Sequence, residues 1–358
     1  MPPAEVEETT SWSEVLTTLL AGAELPPTSA AWAMEQIMSG EASSAQIAAF
    51  LVALRGKGET SGEILSVADV MLDHARRIEV PGPTIDIVGT GGDRAQTVNI
   101  STMAALVVAA SGVRVVKHGN RAASSRSGTA DCLEALGVDL TLEPDQVAAV
   151  ATDAGITFCF AQRFHPSMRY AGPVRAELGI PTVFNVLGPL TNPAQPEFAA
   201  VGVADARMAP LVAGVFASRG RRTAVFRGDD GLDELTISTT SSLWWVDGGR
   251  VLELSVDPAR VGLEYAPLES LRGGDAAHNA RVVLETFAGA AGPIRDAVLL
   301  NAGVALAVAG GAPVTDEATL DAALAEGIAR ARDAIDSGAA TATLERWRDV
   351  TRALAASS

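Results

Sequence analysis

The chain has 358 residues, a formal net charge of −16, 48% hydrophobic residues and 4% aromatics. That length accommodates two domains and a sizeable core, and the acidic balance excludes a non-specific binder of nucleic acid backbones or anionic membranes. Cys132 and Cys159 are the only cysteines and form no Cys-x-x-Cys unit, which points to a reducing compartment and sets the cytoplasm as the expected location.

Residues 1–10 read as a frayed terminus, acidic and proline-containing, without the cationic end and apolar stretch of a signal peptide. No uncharged apolar run of ~18 residues reads as membrane-spanning. From Trp12 to about Ile78 the pattern is helical. Ile47, Phe50, Leu51 and Leu54 fall on one helix face, with Ser43 and Gln46 as a capping box and Gly56 as the expected C-terminal end. Thr60 and Glu63 cap the next helix, whose apolar face is Ile64, Val67, Ala68 and Met71. Pro81-Gly82-Pro83 then breaks the chain as a linker.

Beyond the linker the period changes. Thr84 to Val88 reads as a strand, followed by a small-residue helix over Ser101 to Ala110 and a second strand over Val113 to Val116. A helix is expected from Thr129 to Leu136 with Gly137 closing it, and Pro144 opens another at its first turn. Ile156 to Phe160, Ala199 to Val203 and Thr223 to Arg227 supply further strands, and Trp244 to Leu254 a hairpin around Asp247-Gly248-Gly249. From Ala276 onward the pattern is helical. Alternating β and α segments predict a mostly parallel sheet covered on both faces.

Ligands in open α/β sheets bind beyond the carboxyl ends of the strands, and three candidate loops lie there. Gly89-Thr90-Gly91-Gly92-Asp93 lets backbone N–H groups approach an anion, and Asn99-Ile100-Ser101-Thr102 sets donors at a helix start. The competing reading is a tight turn with a serine cap. The second loop, Lys117 to Thr129, collects Lys117, Arg121 and Arg126 with several hydroxyls, as a polyphosphate requires; the alternative is a solvated loop. The third holds four carboxylates in six residues, Asp229 to Glu234, and suits Mg²⁺ shared with substrate phosphates unless it is merely an acidic turn. A further segment, Arg163 to Arg175, carries Arg175, able to clamp a carboxylate or to pair with Glu177, and His165, which alone reads as a capping or packed histidine. No Ser-His-Asp order, His-x-x-x-His pair or Cys cluster supports nucleophilic or zinc chemistry.

Over nearly its whole length the sequence resembles anthranilate phosphoribosyltransferases. The resemblance is carried by Ala49 to Thr60, Asp86 to Asp93, Asn99 to Thr102, Lys117 to Gly137, His165-Pro166, Pro173 to Pro193 and Gly231 to Glu234. It implies the fold shared with pyrimidine nucleoside phosphorylases: a small all-helical N-terminal domain plus a large α/β domain with a mostly parallel central sheet flanked by helices. The implied boundaries are 1–81 joined by 167–191 for the helical domain, and 82–166 with 192–358 for the other. The implied activity is transfer of the phosphoribosyl group of phosphoribosyl pyrophosphate to the amine of anthranilate in L-tryptophan biosynthesis.

Carried over by position, Gly89, Gly92, Asp93, Thr97, Asn99, Ile100, Ser101, Thr102 and Thr129 contact phosphoribosyl pyrophosphate. So do Lys117, His118, Gly119, Asn120, Arg121, Ala122, Ala123, Ser124 and Ser125. Gly89, Asn120, His165 and Arg175 take anthranilate; Ser101, Asp233 and Glu234 hold two magnesium ions per subunit. Lys117, Asp93 and Arg175 are the implied catalytic set. The family typically forms homodimers through its helical domain, and no nucleic acid or membrane partner is expected. Position 129 is often Ser in the family and is Thr129 here, which keeps the hydroxyl. The rivals are a nucleoside phosphorylase of the same fold, disfavoured by Asn120 and the Ser124-Ser125-Arg126-Ser127 run, and a non-catalytic nucleic-acid-binding paralogue, disfavoured by the acidic charge.

Overall fold

The first helix begins where local chemistry dictates. The Ser11 hydroxyl accepts from the Glu14 N–H, and the Glu14 carboxylate accepts from the Ser11 N–H. Ser43 with Gln46 and Thr60 with Glu63 start two more helices in the same reciprocal way. The computed structural model describes residues 10–121 and 126–357.

In chain order the elements are α1 (Trp12–Leu20), α2 (Pro27–Ser39), α3 (Ser44–Lys57), α4 (Ser61–Asp73), β1 (Ile85–Gly89), α5 (Ile100–Ala110) and β2 (Val115–Gly119). Then come α6 (Thr129–Leu136), α7 (Pro144–Ala154), β3 (Ile156–Phe160), α8 (Ala161–Phe164), α9 (Met168–Leu178) and α10 (Phe184–Leu187). The remainder is β4 (Phe198–Gly202), α11 (Ala209–Ser218), β5 (Arg222–Gly228), β6 (Ser241–Asp247), β7 (Arg250–Val256), α12 (Ala276–Phe287), α13 (Pro293–Gly310), α14 (Glu317–Asp336) and α15 (Ala339–Ala356). They form two units. One runs through Ala75 and takes in His165–Leu187; the other is Arg76–Phe164 with Gly188 onward.

The helical unit buries Val15, Leu19, Met34, Ile37, Phe50 and Leu51, with Trp12 edge-on to Trp32 at 5.3 Å and to Phe50 at 6.2 Å. Glu63 is buried but saturated: one carboxylate oxygen accepts from the Leu25 N–H, the other from the Lys57 ammonium and the Thr60 N–H. The same lysine changes where α3 ends. The expected stop at Gly56 moves to Gly58, because Gly58 takes the positive φ of 93° and its carbonyl accepts from Lys57.

The α/β unit is built on a seven-stranded sheet in the order β3-β2-β1-β4-β5-β6-β7. β3 through β5 are parallel, and β6 and β7 add an antiparallel edge. Gly248 and Gly249, at φ 56° and 76°, make the two-residue turn between β6 and β7. β2 runs later than expected, over Val115–Gly119 rather than Val113 to Val116. Lys117, His118 and Gly119 pair in register with Phe158, Cys159 and Phe160, so the first three residues of the second candidate loop are strand. α5 packs against α13 and α15, and α13 against α14 and β4. α13 is long and apolar enough by composition to cross a membrane, yet its residues Ala297 to Val308 are buried in this core.

Candidate active site

Chain order and strand order part company between β1 and β4. β2 and β3 extend the sheet on one side of β1; the chain then returns to place β4 on the other. Such a switch point leaves a crevice beyond the carboxyl ends of its two strands, and Gly89 and Gly202 stand opposite each other there. Neither accepts a side chain without a shift of its neighbour. A Cβ on Gly89 would meet the Asp233 carboxylate at 2.2 Å, and one on Gly202 would meet the Asp233 carbonyl oxygen at 1.7 Å. The turn bearing Asp233 and Glu234 therefore rests directly on the two strand ends.

Two further contacts fix that turn. The Gly91 N–H donates to the Asp233 carboxylate at 2.6 Å. Asn301, buried within α13, accepts from the Leu235 N–H at 3.0 Å and donates to the Leu235 carbonyl at 2.8 Å, gripping the residue after Glu234 by both backbone groups. Asp230 is held away from this pair, accepting from Leu232 N–H and from the hydroxyls of Thr236 and Ser238. Asp229 accepts from Thr240 and Ser242. The four-carboxylate cluster thus resolves into Asp229 and Asp230, held by neighbouring hydroxyls, and Asp233 and Glu234, seated on the strand ends.

Electrostatically the site is starved of positive charge. Burial, the Asp93 charge and an Asp93 hydrogen bond push the Asp233 carboxyl up to about 7, against the Gly91 N–H. Burial and the Asp233 charge hold Glu234 well above the carboxylate range, although Lys117 and the Ser101 N–H favour its ionised form. Lys117 is buried at 1% exposure and its ammonium donates to the Ile87 carbonyl and, at 3.2 Å, to the Ser101 hydroxyl. Burial lowers its pKa, opposed by Asp86, Glu234 and Asp233. Asp86 accepts from the His118 N–H at 3.1 Å and from Asn192 at 2.8 Å, and burial raises it to about 6 despite the neighbouring lysine. Among the described residues no cluster of three or more His, Cys, Asp or Glu forms a metal cage. Asp233, Glu234 and the Ser101 hydroxyl instead fit a hard divalent cation that shares its shell with a phosphorylated ligand.

The remaining predicted residues of this unit lie along the segments from β1 to α5 and from β2 to α6. Asp93 accepts from the Ala95 N–H, in a loop whose Arg94 and Gln96 take positive φ of 61° and 55°. Thr97 bridges to Arg272. Asn99 caps α5, and Ile100, Ser101 and Thr102 form its first turn. The His118 ring meets the Gly188 carbonyl at 2.9 Å; the Asn120 side chain accepts from the Arg121 N–H; Thr129 opens α6. Arg121 is occupied by Asp131 and Glu134, at 3.0 and 2.6 Å, and lies over the Phe160 ring. Ala122, Ala123, Ser124 and Ser125 lie outside the described residues. In the helical unit, His165 is buried and Arg175 projects from α9 over the Phe184 ring at 5.1 Å; burial lowers its pKa.

Gly202, Asn301 and Asn279 are not marked by the sequence reading, and Asn192 enters it only within the Pro173 to Pro193 segment. Asn301 carried a signal, a lone amide inside an apolar helix, which must find partners when buried.

Residues 13–75 match the helical bundle domain of a glycosyl transferase family, and residues 81–341 match its α/β domain. A curated anthranilate phosphoribosyltransferase of a Nocardioides species is 58% identical over 340 residues, 94% of this chain and 98% of that one. This chain belongs to the anthranilate phosphoribosyltransferases. Among solved members, the anthranilate phosphoribosyltransferase of Thermus thermophilus matches with a TM-score of 0.87 at 43% identity, covering 94% of this chain and 99% of its own. That of Saccharomyces cerevisiae, in complex with phosphoribosyl pyrophosphate and Mg, matches at 0.86 and 30% identity, covering 96% and 98%. As a family member the chain is a glycosyltransferase enzyme with a helical N-terminal domain and a large, mostly parallel α/β domain.

Proposed function

We propose that this enzyme joins the amine of anthranilate to C1 of phosphoribosyl pyrophosphate, giving N-(5-phosphoribosyl)anthranilate and pyrophosphate in L-tryptophan biosynthesis. The observation that carries the reading is the pair Asp233–Glu234, buried and mutually repelling on the ends of β1 and β4 beside Lys117 and Ser101. Such a pair calls for cations and, with them, an anionic ligand. Magnesium, two ions per subunit in our reading, would be held by Ser101, Asp233 and Glu234 and would supply leaving-group stabilisation. Backbone N–H groups of the glycine loop and the start of α5 take the 5-phosphoribosyl pyrophosphate anion, with Asp93 and the Lys117–Thr129 segment beside it.

The C1–N bond forms as the C1–O bond breaks, the electron pair leaves with pyrophosphate, and the amine sheds one proton. An aromatic amine is already neutral at pH 7, so the chain's work is orientation and electrostatics rather than strong base catalysis. Gly89, Asn120, His165 and Arg175 are assigned to anthranilate, Arg175 as the clamp for its carboxylate. The family resemblance also supports a cytoplasmic homodimer. Titration of both substrates in the parent and in Arg175→Ala tests the reading. Turnover requires both substrates, and the variant raises the anthranilate KM while leaving that for phosphoribosyl pyrophosphate nearly intact. An unchanged anthranilate dependence retires the clamp, and turnover without anthranilate retires the reaction.

A further inference from the structure

Asn279 sits in the first turns of α12 at 2% exposure, and every polar atom of its side chain is committed in a fixed direction. Its Oδ1 accepts from the Gly274 N–H at 2.8 Å, so its Nδ2 must face the other way, where it donates to Asn99 Oδ1 at 2.8 Å. That leaves Asn99 Nδ2 to donate to the Ser127 carbonyl at 3.3 Å. The result is one directional relay: Gly274 to Asn279, to Asn99, to Ser127. It ties the loop after β1 to the loop after β2 through a residue 180 positions from Asn99.

The segment leading into Asn279 grips the same loop by its backbone. The Gly273 N–H donates to the Gln96 carbonyl at 2.8 Å, and the Val98 N–H donates to the Leu271 carbonyl at 2.9 Å. A Cβ on Gly273 would stand 2.6 Å from the Thr97 carbonyl oxygen, so the approach is closed to any other residue. Gln96 holds a positive φ of 55°, a conformation a side-chain-bearing residue keeps only when its surroundings impose it.

We propose that Asn279 is a positioning residue for phosphoribosyl pyrophosphate, setting the Asn99 amide and locking the two substrate loops to each other. This rests on the substrate reading above. Asn279 touches no substrate; it acts through Asn99. Because no member of the relay titrates, its effect is independent of pH.

Asn279→Asp isolates the role. It keeps the volume and the acceptor for Gly274 and, when ionised, sets an oxygen against Asn99 Oδ1, so either Asn99 turns over and loses Ser127 or two oxygens face each other; a protonated carboxyl would restore the donor, so the variant is read at a pH where its effect no longer grows with pH. Calorimetry with phosphoribosyl pyrophosphate and Mg²⁺ should show Kd about ten-fold above the parent, with the KM for that substrate rising in step, as expected for one buried hydrogen bond replaced by a mismatch. The anthranilate KM should stay within about two-fold, and Asn279→Asp should add less than about two-fold to the Kd of Asn99→Ala, since both break one relay. Asn279→Ser, too short to reach Asn99, should show the same selective loss if the aspartate variant fails to fold. Parent-like Kd and KM in the folded variants, with only a lower melting temperature, would overturn the proposal, as would an equal rise for both substrates. A parent that binds no phosphoribosyl pyrophosphate would overturn the substrate reading itself, and this inference with it.

Discussion

Gly202 lies beneath Asp233 with no room between them: a Cβ there would fall 1.7 Å from the Asp233 carbonyl oxygen and 2.4 Å from its carbon. Gly202→Ala must therefore lift the Asp233–Glu234 turn off the sheet. Overpacking of this kind costs on the order of 1–3 kcal/mol, and a shift near ~1 Å at reacting groups costs on the order of 10²-fold in rate. Gly310→Ala is the control, since open space surrounds that helical glycine. Thermal melts and initial rates should show both losses for Gly202→Ala and neither for Gly310→Ala; parent-like turnover in Gly202→Ala would show that the turn need not rest there.

Burial and the Asp93 charge raise the proton affinity of Asp233, and burial and the Asp233 charge raise that of Glu234, with Lys117 opposing the shift of Glu234. Asp233→Asn combined with Glu234→Gln removes that repulsion without removing volume. The double variant should fold, melt no lower than the parent in the absence of Mg²⁺, and lose most of its turnover at limiting Mg²⁺. A parent-like magnesium titration would sink the metal assignment.

Much of this architecture is legible locally. Ser43 with Gln46, Thr60 with Glu63 and the Pro144 helix start are short-range chemistry, and they sit where the pattern puts them. Lys117, His118 and Gly119 misread as loop because their polar chemistry hides a strand whose partner, β3, lies some way along the chain. The helix α9 is weakly marked in sequence, because its composition is polar and Pro173, a residue that usually breaks helices, lies inside it. Asn279 and Asn301 each bond a distant residue, Asn99 and Leu235, 180 and 66 positions away, and no local pattern encodes such bonds.

Lys117, which we propose as a site cation, also has a structural contact, since its ammonium holds the Ile87 carbonyl. Lys117→Ala should weaken phosphoribosyl pyrophosphate use far more than anthranilate use, by ~1.5–3 kcal/mol for a lost charge-assisted contact. Paired steady-state titrations measure this; equal effects on both substrates would make the lysine purely structural.

Asp86 gives a pH signature. Its carboxyl is raised from 3.8 to about 6 by burial, so the folded state holds the proton more tightly than the unfolded state does. The sign follows from linkage: between about pH 4 and pH 7 ionisation disfavours the fold, and this residue's contribution to stability falls as pH rises. Asp86→Asn removes that slope, whatever its offset at any one pH. Denaturant titrations across this range should show the parent losing stability relative to Asp86→Asn as pH increases; parallel curves would mean that the folded Asp86 titrates normally.

The central claim is tested most directly by pyrophosphate release. The chain, anthranilate, phosphoribosyl pyrophosphate and Mg²⁺ should together release one pyrophosphate per phosphoribosylated anthranilate formed, and omission of anthranilate or of Mg²⁺ should stop the release. Pyrophosphate formed without anthranilate, or none formed with every component present, would contradict the account.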